Sequence, residues 1–212
     1  MRRALLIVTG LLVLAYPILT SPYPVYQRLG ALVLLAAIGA SAWNIVGGYA
    51  GQVSVGHAIF FGVGAYSAVL GYHYLKLPPI VGVPVGMMVS MAIAALIGVP
   101  TLRLSGHYFS MATIAVAELA RVLVTTSDAL GGAQGLTGPA IPRTAFDLSF
   151  TSAMPYYYIF LTVLASILGL TWWIENSRMG FYLRAIKDSE RAARSLGVAA
   201  GKYKLFAYML SA

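Results

Sequence analysis

The stretch LGALVLLAAIGASAWNIVGGYAGQVSVGHAIFFGVGAYSAVLGYHYL, residues 29–75, contains no Asp, Glu, Lys or Arg. A helix needs about 20 residues to cross the hydrocarbon core of a bilayer, so this stretch is long enough to cross twice. The break between the crossings is expected at Gly47-Gly48-Tyr49-Ala50-Gly51-Gln52, where glycines and a polar amide interrupt the apolar run. Residues 29–46 then form one span and residues 53–75 the returning one.

The rest of the chain agrees with that reading. Of its 212 residues 59% are hydrophobic and 9% charged, with a mean hydropathy of +0.81, against about 25% charged in a soluble domain. Most of the chain therefore belongs in lipid. Residues 4–20, after Arg2 and Arg3, form an apolar run with no small-x-small cleavage site behind it, and Tyr16-Pro17 with Ser21-Pro22-Tyr23-Pro24 reads as an interfacial exit. This is a first span. Further spans are expected at residues 80–100, 108–126 and 154–173, the last with Tyr156, Tyr157 and Tyr158 at one end and Trp172 and Trp173 at the other, as an aromatic belt requires. Residues 127–153, glycine-rich and broken, read as an external loop. The fold class is all-α: a polytopic helical membrane protein with about six complete transmembrane helices. The apolar run after Lys204 stops within eight residues, so it reads as the start of a seventh helix and the chain as a C-terminally incomplete transmembrane domain.

Charge sets the orientation. The segment IENSRMGFYLRAIKDSERAARSLGVAAGKYK, residues 174–204, holds seven of the fourteen Lys and Arg: Arg178, Arg184, Lys187, Arg191, Arg194, Lys202 and Lys204. Basic loops beside spans belong on the cytoplasmic side. With this segment inside, Arg2, Arg3 and Arg103 are inside too, giving a cytoplasmic N-terminus, while Arg28, Lys76 and Arg143 lie outside. The net charge of +8 is thus an orientation signal and does not point to nucleic acid. Within the segment, Leu183, Ile186, Ala193 and Leu196 share one side of a helical wheel. Such a helix, residues 184–196, can dock on a partner, lie on anionic headgroups or be a solvated loop.

Three further sets of residues could carry chemistry. Asn44, Gln52, Ser54, His57 and Tyr66 surround the glycine-rich break, with Ser54, Ala58 and Gly62 at every fourth position. That pattern fits a broken or re-entrant helix whose free amides meet a polar ligand; it fits equally a small-residue face for helix packing. Glu118 and Arg121 lie three apart on one helical face. A charge in mid-membrane costs roughly 2.5 to 3.5 kcal/mol, so they should pair or face an aqueous path, and their place toward the outer end of the span favours a structural pair snorkelling outward. His57, His73 and His107 lack metal-ligand spacing, there is no cysteine, and no HExxH, GxSxG or phosphate-binding loop occurs. Neither a catalytic set nor a metal site is expected, and any ATP used would be bound by another chain.

GYAGQVSVGHAIFFGVGAY (residues 48–66), TLRLSGHYFSMATIAVAELAR (101–121), GGAQGLTG (131–138) and RAIKDSERAARSLGV (184–198) resemble, in this order, the permease subunits of branched-chain amino acid ABC importers, and among them the LivM type. The resemblance implies a bacterial inner-membrane subunit that works with a second homologous permease, two cytoplasmic ATPases that bind ATP and magnesium, and a periplasmic amino-acid-binding protein. It also implies a cytoplasmic coupling motif, Glu-Ala-Ala-x-x-x-Gly, that docks on the ATPase. Ala192, Ala193 and Gly197 match it, Arg191 stands at the motif's Glu position and Glu190 one residue earlier, on a docking helix that begins near Arg184 and ends at Gly197 in a left-handed turn. A zwitterionic aliphatic substrate suits a path lined by Ser54, His57 and Tyr66. The rival class is a stand-alone ion-coupled secondary transporter or channel working through Glu118 and Arg121.

Overall fold

The computed structural model describes residues 2–104, 106–136, 148, 150 and 152–212, the side chains of residues 2–9 apart. Among them the order is α1 (Arg2–Leu19), α2 (Pro24–Asn44), a π-helical turn (Ile45–Tyr49), α3 (Ala58–Leu75), α4 (Pro79–Thr101), α5 (His107–Thr126), two 3-10 turns (Asp128–Leu130 and Gly132–Gln134), α6 (Met154–Glu175), α7 (Arg178–Asp188), α8 (Glu190–Ser195) and α9 (Ala200–Ser211). The protein is an all-helical, polytopic membrane protein. Among the described residues five helices are long and apolar enough to cross a bilayer: Pro24–Tyr49, Ala58–Leu75, Pro79–Thr101, His107–Thr126 and Met154–Glu175. Of the loop expected over residues 127–153, only its start and a few residues near its end are described, and Arg143 lies outside the described residues.

Two compact units divide the chain. The first comprises Met1–Ser41 and Phe150–Gly169. Pro17 inside α1 has no N–H, which frees the carbonyl of Val13, four residues back. In lipid an unmet carbonyl is expensive. The Tyr157 hydroxyl donates to that Val13 oxygen at 2.9 Å, the Tyr158 hydroxyl donates to the Leu14 oxygen at 3.2 Å, and the buried Gln27 amide donates to the Pro17 oxygen. The Tyr157 ring stacks on Tyr16 with centroids 5.5 Å apart. The tyrosines expected as an interfacial belt thus also repair a proline-broken helix.

The second unit comprises Ala42–Ser149 and Leu170–Ala212. Its centre is α4, whose buried residues are Gly82, Gly86, Ser90, Ala94, Gly98 and Thr101. Small residues at every fourth position let neighbouring backbones approach closely. A Cβ on Gly86 would lie 2.7 Å from the Gly64 oxygen on α3, and one on Gly98 would meet Leu205 and Tyr208 of α9. The Ser90 hydroxyl donates to the Phe60 oxygen at 3.1 Å.

The close-packing face is therefore Gly64 and Ala68 on α3 against Gly82 and Gly86 on α4. The Ser54, Ala58, Gly62 repeat plays no such part, for a plain geometric reason: α3 begins only at Ala58, so Ser54 is not on the helix. Nothing lies within 4 Å of a Cβ placed on Gly62.

Candidate functional site

The break between α2 and α3 is real, and residues 50–57 are not helical. Irregular backbone beside membrane spans persists where protein satisfies its polar groups. The Trp43 indole donates to the Ser54 oxygen at 2.7 Å, the Ser110 hydroxyl to the Val53 oxygen at 2.7 Å, and the Val55 amide to the Thr113 hydroxyl at 3.2 Å. Gly56 is required here, because a Cβ would sit 2.0 Å from the Thr113 oxygen.

His57 anchors α9 to the break. The Ser211 hydroxyl donates to the Ala42 oxygen at 2.6 Å, which uses its one proton, so the His57 Nε2–H is the donor toward Ser211, 2.9 Å from Oγ and 3.1 Å from the carbonyl. The His57 ring also meets Phe60 and Tyr208 edge to face. Ser54 is buried, Gln52 half-buried, and Asn44 exposed with its side-chain oxygen folded over Gly48. None of these four of the five residues expected on a pathway lines the cavity that holds the fifth. Sequence periodicity had no means of separating them from the fifth, because Gln52, Ser54 and His57 lie on irregular backbone and Asn44 at the very end of α2.

The fifth, Tyr66, lines a cavity of about 640 Å³ between α3, α4 and α5. Its walls are Ile59, Gly62, Val63, Ile93 and Ile114 with neighbouring apolar residues, and its polar groups include Glu118, Arg121 and Thr125. Arg121 donates to Glu118 through both Nε, at 2.9 Å to Oε2, and Nη2, at 2.5 Å to Oε1, a two-pronged pairing that fixes both side chains. Both residues lie in the C-terminal half of α5 (His107–Thr126), and both side chains are more than half exposed. The cavity thus joins two sets of residues, Tyr66 and the charged pair, that are far apart in sequence.

The segment after α6 is two short helices, α7 and α8, where one amphipathic helix over residues 184–196 is expected. The division falls at Ser189, whose extended backbone (φ −158°, ψ 103°) ends α7 and whose hydroxyl accepts from the Ala192 amide to cap α8. Leu183, Ile186 and Ala193 are buried as the wheel requires, but Leu196 is 84% exposed, because the break at Ser189 rotates it off their face. Gly197, with φ +84°, closes α8: its amide donates to the Arg194 oxygen and the Val198 amide to the Ala193 oxygen, each at 3.0 Å. These are the paired 5→2 and 6→1 bonds of a Schellman turn, and Val198 packs on Ile186, Ala193 and Ala200 beside it.

The expected docking residues divide by role. Arg184 is exposed and folds back along its own segment: its Nη2 donates to the Glu175 oxygen at 2.7 Å, its Nε to the Gly180 oxygen, and its guanidinium lies over the Phe181 ring. Glu190 pairs with Arg194 Nη2 at 2.5 Å and with Lys204 Nζ at 3.0 Å. Lys204 is almost fully buried and also donates to the Leu102 oxygen at the end of α4. Burial pushes the Glu190 carboxyl up, but Lys204 and then Arg194 outweigh it and hold it below its usual value. Arg191, Ala192, Ser195 and Leu196 remain exposed.

Two links join this segment to the α2–α3 break. The Lys187 ammonium donates to the Gly48 oxygen at 2.8 Å, and the Tyr49 hydroxyl donates to Glu175 Oε2 at 3.3 Å. Neither Lys187 nor Lys204 stands out in the sequence from the other five basic residues there. Only the carbonyls they reach distinguish them.

Comparison with known proteins agrees with this architecture. Two curated relatives, the High-affinity branched-chain amino acid transport system permease protein LivM of Escherichia coli (strain K12) and that of Salmonella typhimurium, are 26% identical over all of this chain and 30% identical over 80% of it, covering 55% and 45% of their own lengths. The chain spans about half the length of the curated relatives it matches. No solved structure matches. Residues 27–212 match the family described as Branched-chain amino acid transport system / permease component, and the chain belongs to that family.

Proposed function

We propose that this chain is the membrane-spanning part of a permease subunit in an ATP-driven importer of branched-chain or related amino acids. In this reading it sits in a bacterial inner membrane with its N-terminus in the cytoplasm, beside a second homologous permease. Two separate ATPases bind the nucleotide, and a periplasmic binding protein delivers substrate at the glycine-rich end of the bundle. The observation that carries the reading, beyond family membership, is α8. A six-residue helix capped by Ser189, closed by Gly197 and carrying an exposed Leu196 has the form of a docking element.

Its attachments suit alternating access driven from the ATPases. Movement of α7 and α8 would pull on Gly48 through Lys187 and on the end of α4 through Lys204, so the break and the central helix would move with them. ATP hydrolysis belongs to the other chains, and this subunit supplies the path.

The test is affinity purification of the full-length gene product in mild detergent, with and without Gly197→Pro. Co-purification of an ATPase that the substitution abolishes supports the reading. Failure of the unsubstituted protein to retain any ATPase favours an ion-coupled transporter instead, and neutralising Glu118 then becomes the decisive experiment.

A further inference from the structure

We propose that the cavity between α3, α4 and α5 is a binding site for an α-amino acid, its carboxylate on Arg121, its ammonium on Glu118 and its aliphatic side chain against Ile59, Val63, Ile93 and Ile114. The proposal rests on the importer reading above and assigns the charged pair a role in it. Glu118 and Arg121 border an otherwise apolar, open cavity with their side chains more than half exposed, and neither makes a side-chain bond to any other described residue. The Thr125 hydroxyl is directed to the backbone oxygens of Arg121 and Val122.

Ligand selection follows from charge. Against apolar walls and one ion pair, a solute carrying one charge would leave the site with a net charge. A zwitterion exchanges one internal ion pair for two ligand pairs and keeps the site neutral. About 640 Å³ is within the usual range of small-molecule sites, roughly 300–1,000 Å³, which accommodates a branched amino acid with accompanying water. Gly62 opens the wall, since no atom lies within 4 Å of where its Cβ would be.

Gly62 also supplies the test, because residues 1–212 contain no cysteine. Gly62→Cys, introduced into the full-length permease assembled with its ATPases, places one reactive thiol in the cavity wall. Leucine is expected to slow maleimide labelling at position 62, whereas 4-methylpentanoate and isopentylamine, which each carry one of its two charges, are not. Protection is expected to weaken roughly tenfold in Arg121→Gln or Glu118→Gln, each of which removes a charge-assisted contact. Equal protection by all three solutes would reduce the cavity to an apolar pocket and overturn the proposal. So would absence of protection in a complex that carries out ATP-driven leucine uptake. If the unsubstituted complex shows no ATP-driven uptake, the importer reading itself fails, and the assignment of the pair falls with it.

Discussion

The ammonium of Lys204, at 2% exposure, lies 3.0 Å from Glu190 Oε2 and 3.2 Å from the carbonyl of Leu102. One buried lysine thereby joins α8, α9 and the end of α4. Removing one member of such a pair is worse than removing the pair, because the remaining charge stays buried without its counter-ion. Glu190→Ala is expected to lower stability by about 3 kcal/mol, and Lys204→Met by less, since Glu190 keeps Arg194. Thermal unfolding of the full-length protein in detergent measures both, and equal losses would contradict the arrangement.

Glu190 also sets a pH dependence. Its carboxyl is held below the usual 4.5 in the folded protein, so the stabilisation is fully present above that value and is lost as pH falls through the folded pKa. Proteolysis or hydrogen exchange of residues 189–198 should accelerate on the acid side of about 4.5. In Glu190→Gln the acid step should disappear.

Gly197 and Gly201 make a controlled pair. Neither has an atom within 4 Å of an added Cβ, but only Gly197 has a positive φ. Gly197→Ala should cost about 1 to 2 kcal/mol in left-handed strain, and Gly201→Ala, on α9, should be neutral or slightly stabilising. Measured melting temperatures that shift equally would show that backbone conformation is not what selects glycine at position 197.

Packing of α3 on α4 gives a similar contrast. Gly86→Ala drives a methyl into the Gly64 backbone, whereas Gly62→Ala enters open space. The first should cost about 1 to 3 kcal/mol and the second almost nothing, as read by unfolding in detergent.

Leu196 separates docking from folding. Because it is 84% exposed, Leu196→Asp should leave the melting temperature unchanged while reducing recovery of the ATPase in affinity purification. A loss of stability instead would mean that Leu196 packs within the full-length chain.

The helical, membrane-spanning character was legible in the sequence because hydropathy over about twenty residues is a local property. So was the break after Val46, where glycines cluster, and the left-handed Gly197. The division at Ser189 was harder to see: SERAARSLG continues the apolar period of the preceding helix, and only the capping serine marks a new start. The cavity escaped detection for a different reason. Tyr66 and Glu118 lie 52 positions apart, and which of the polar residues near the break turns toward α5 depends on helix rotation, which composition does not encode. The stripe Gly82, Gly86, Ser90, Ala94, Gly98 was present as a four-residue repeat and is the signal that would have found the true packing face.

The bond from Tyr157 to the Val13 carbonyl bears on how the chain is made. Ribosomes release α1 long before α6, so the acceptor freed by Pro17 emerges 144 residues ahead of its donor. During that interval the nascent helix carries an unmet oxygen, a reason for it to be retained by the insertion machinery or by water at the interface. Completion of the sixth helix is then the event that lets the first one settle in lipid, and Tyr157→Phe should slow biogenesis while leaving α6 itself intact.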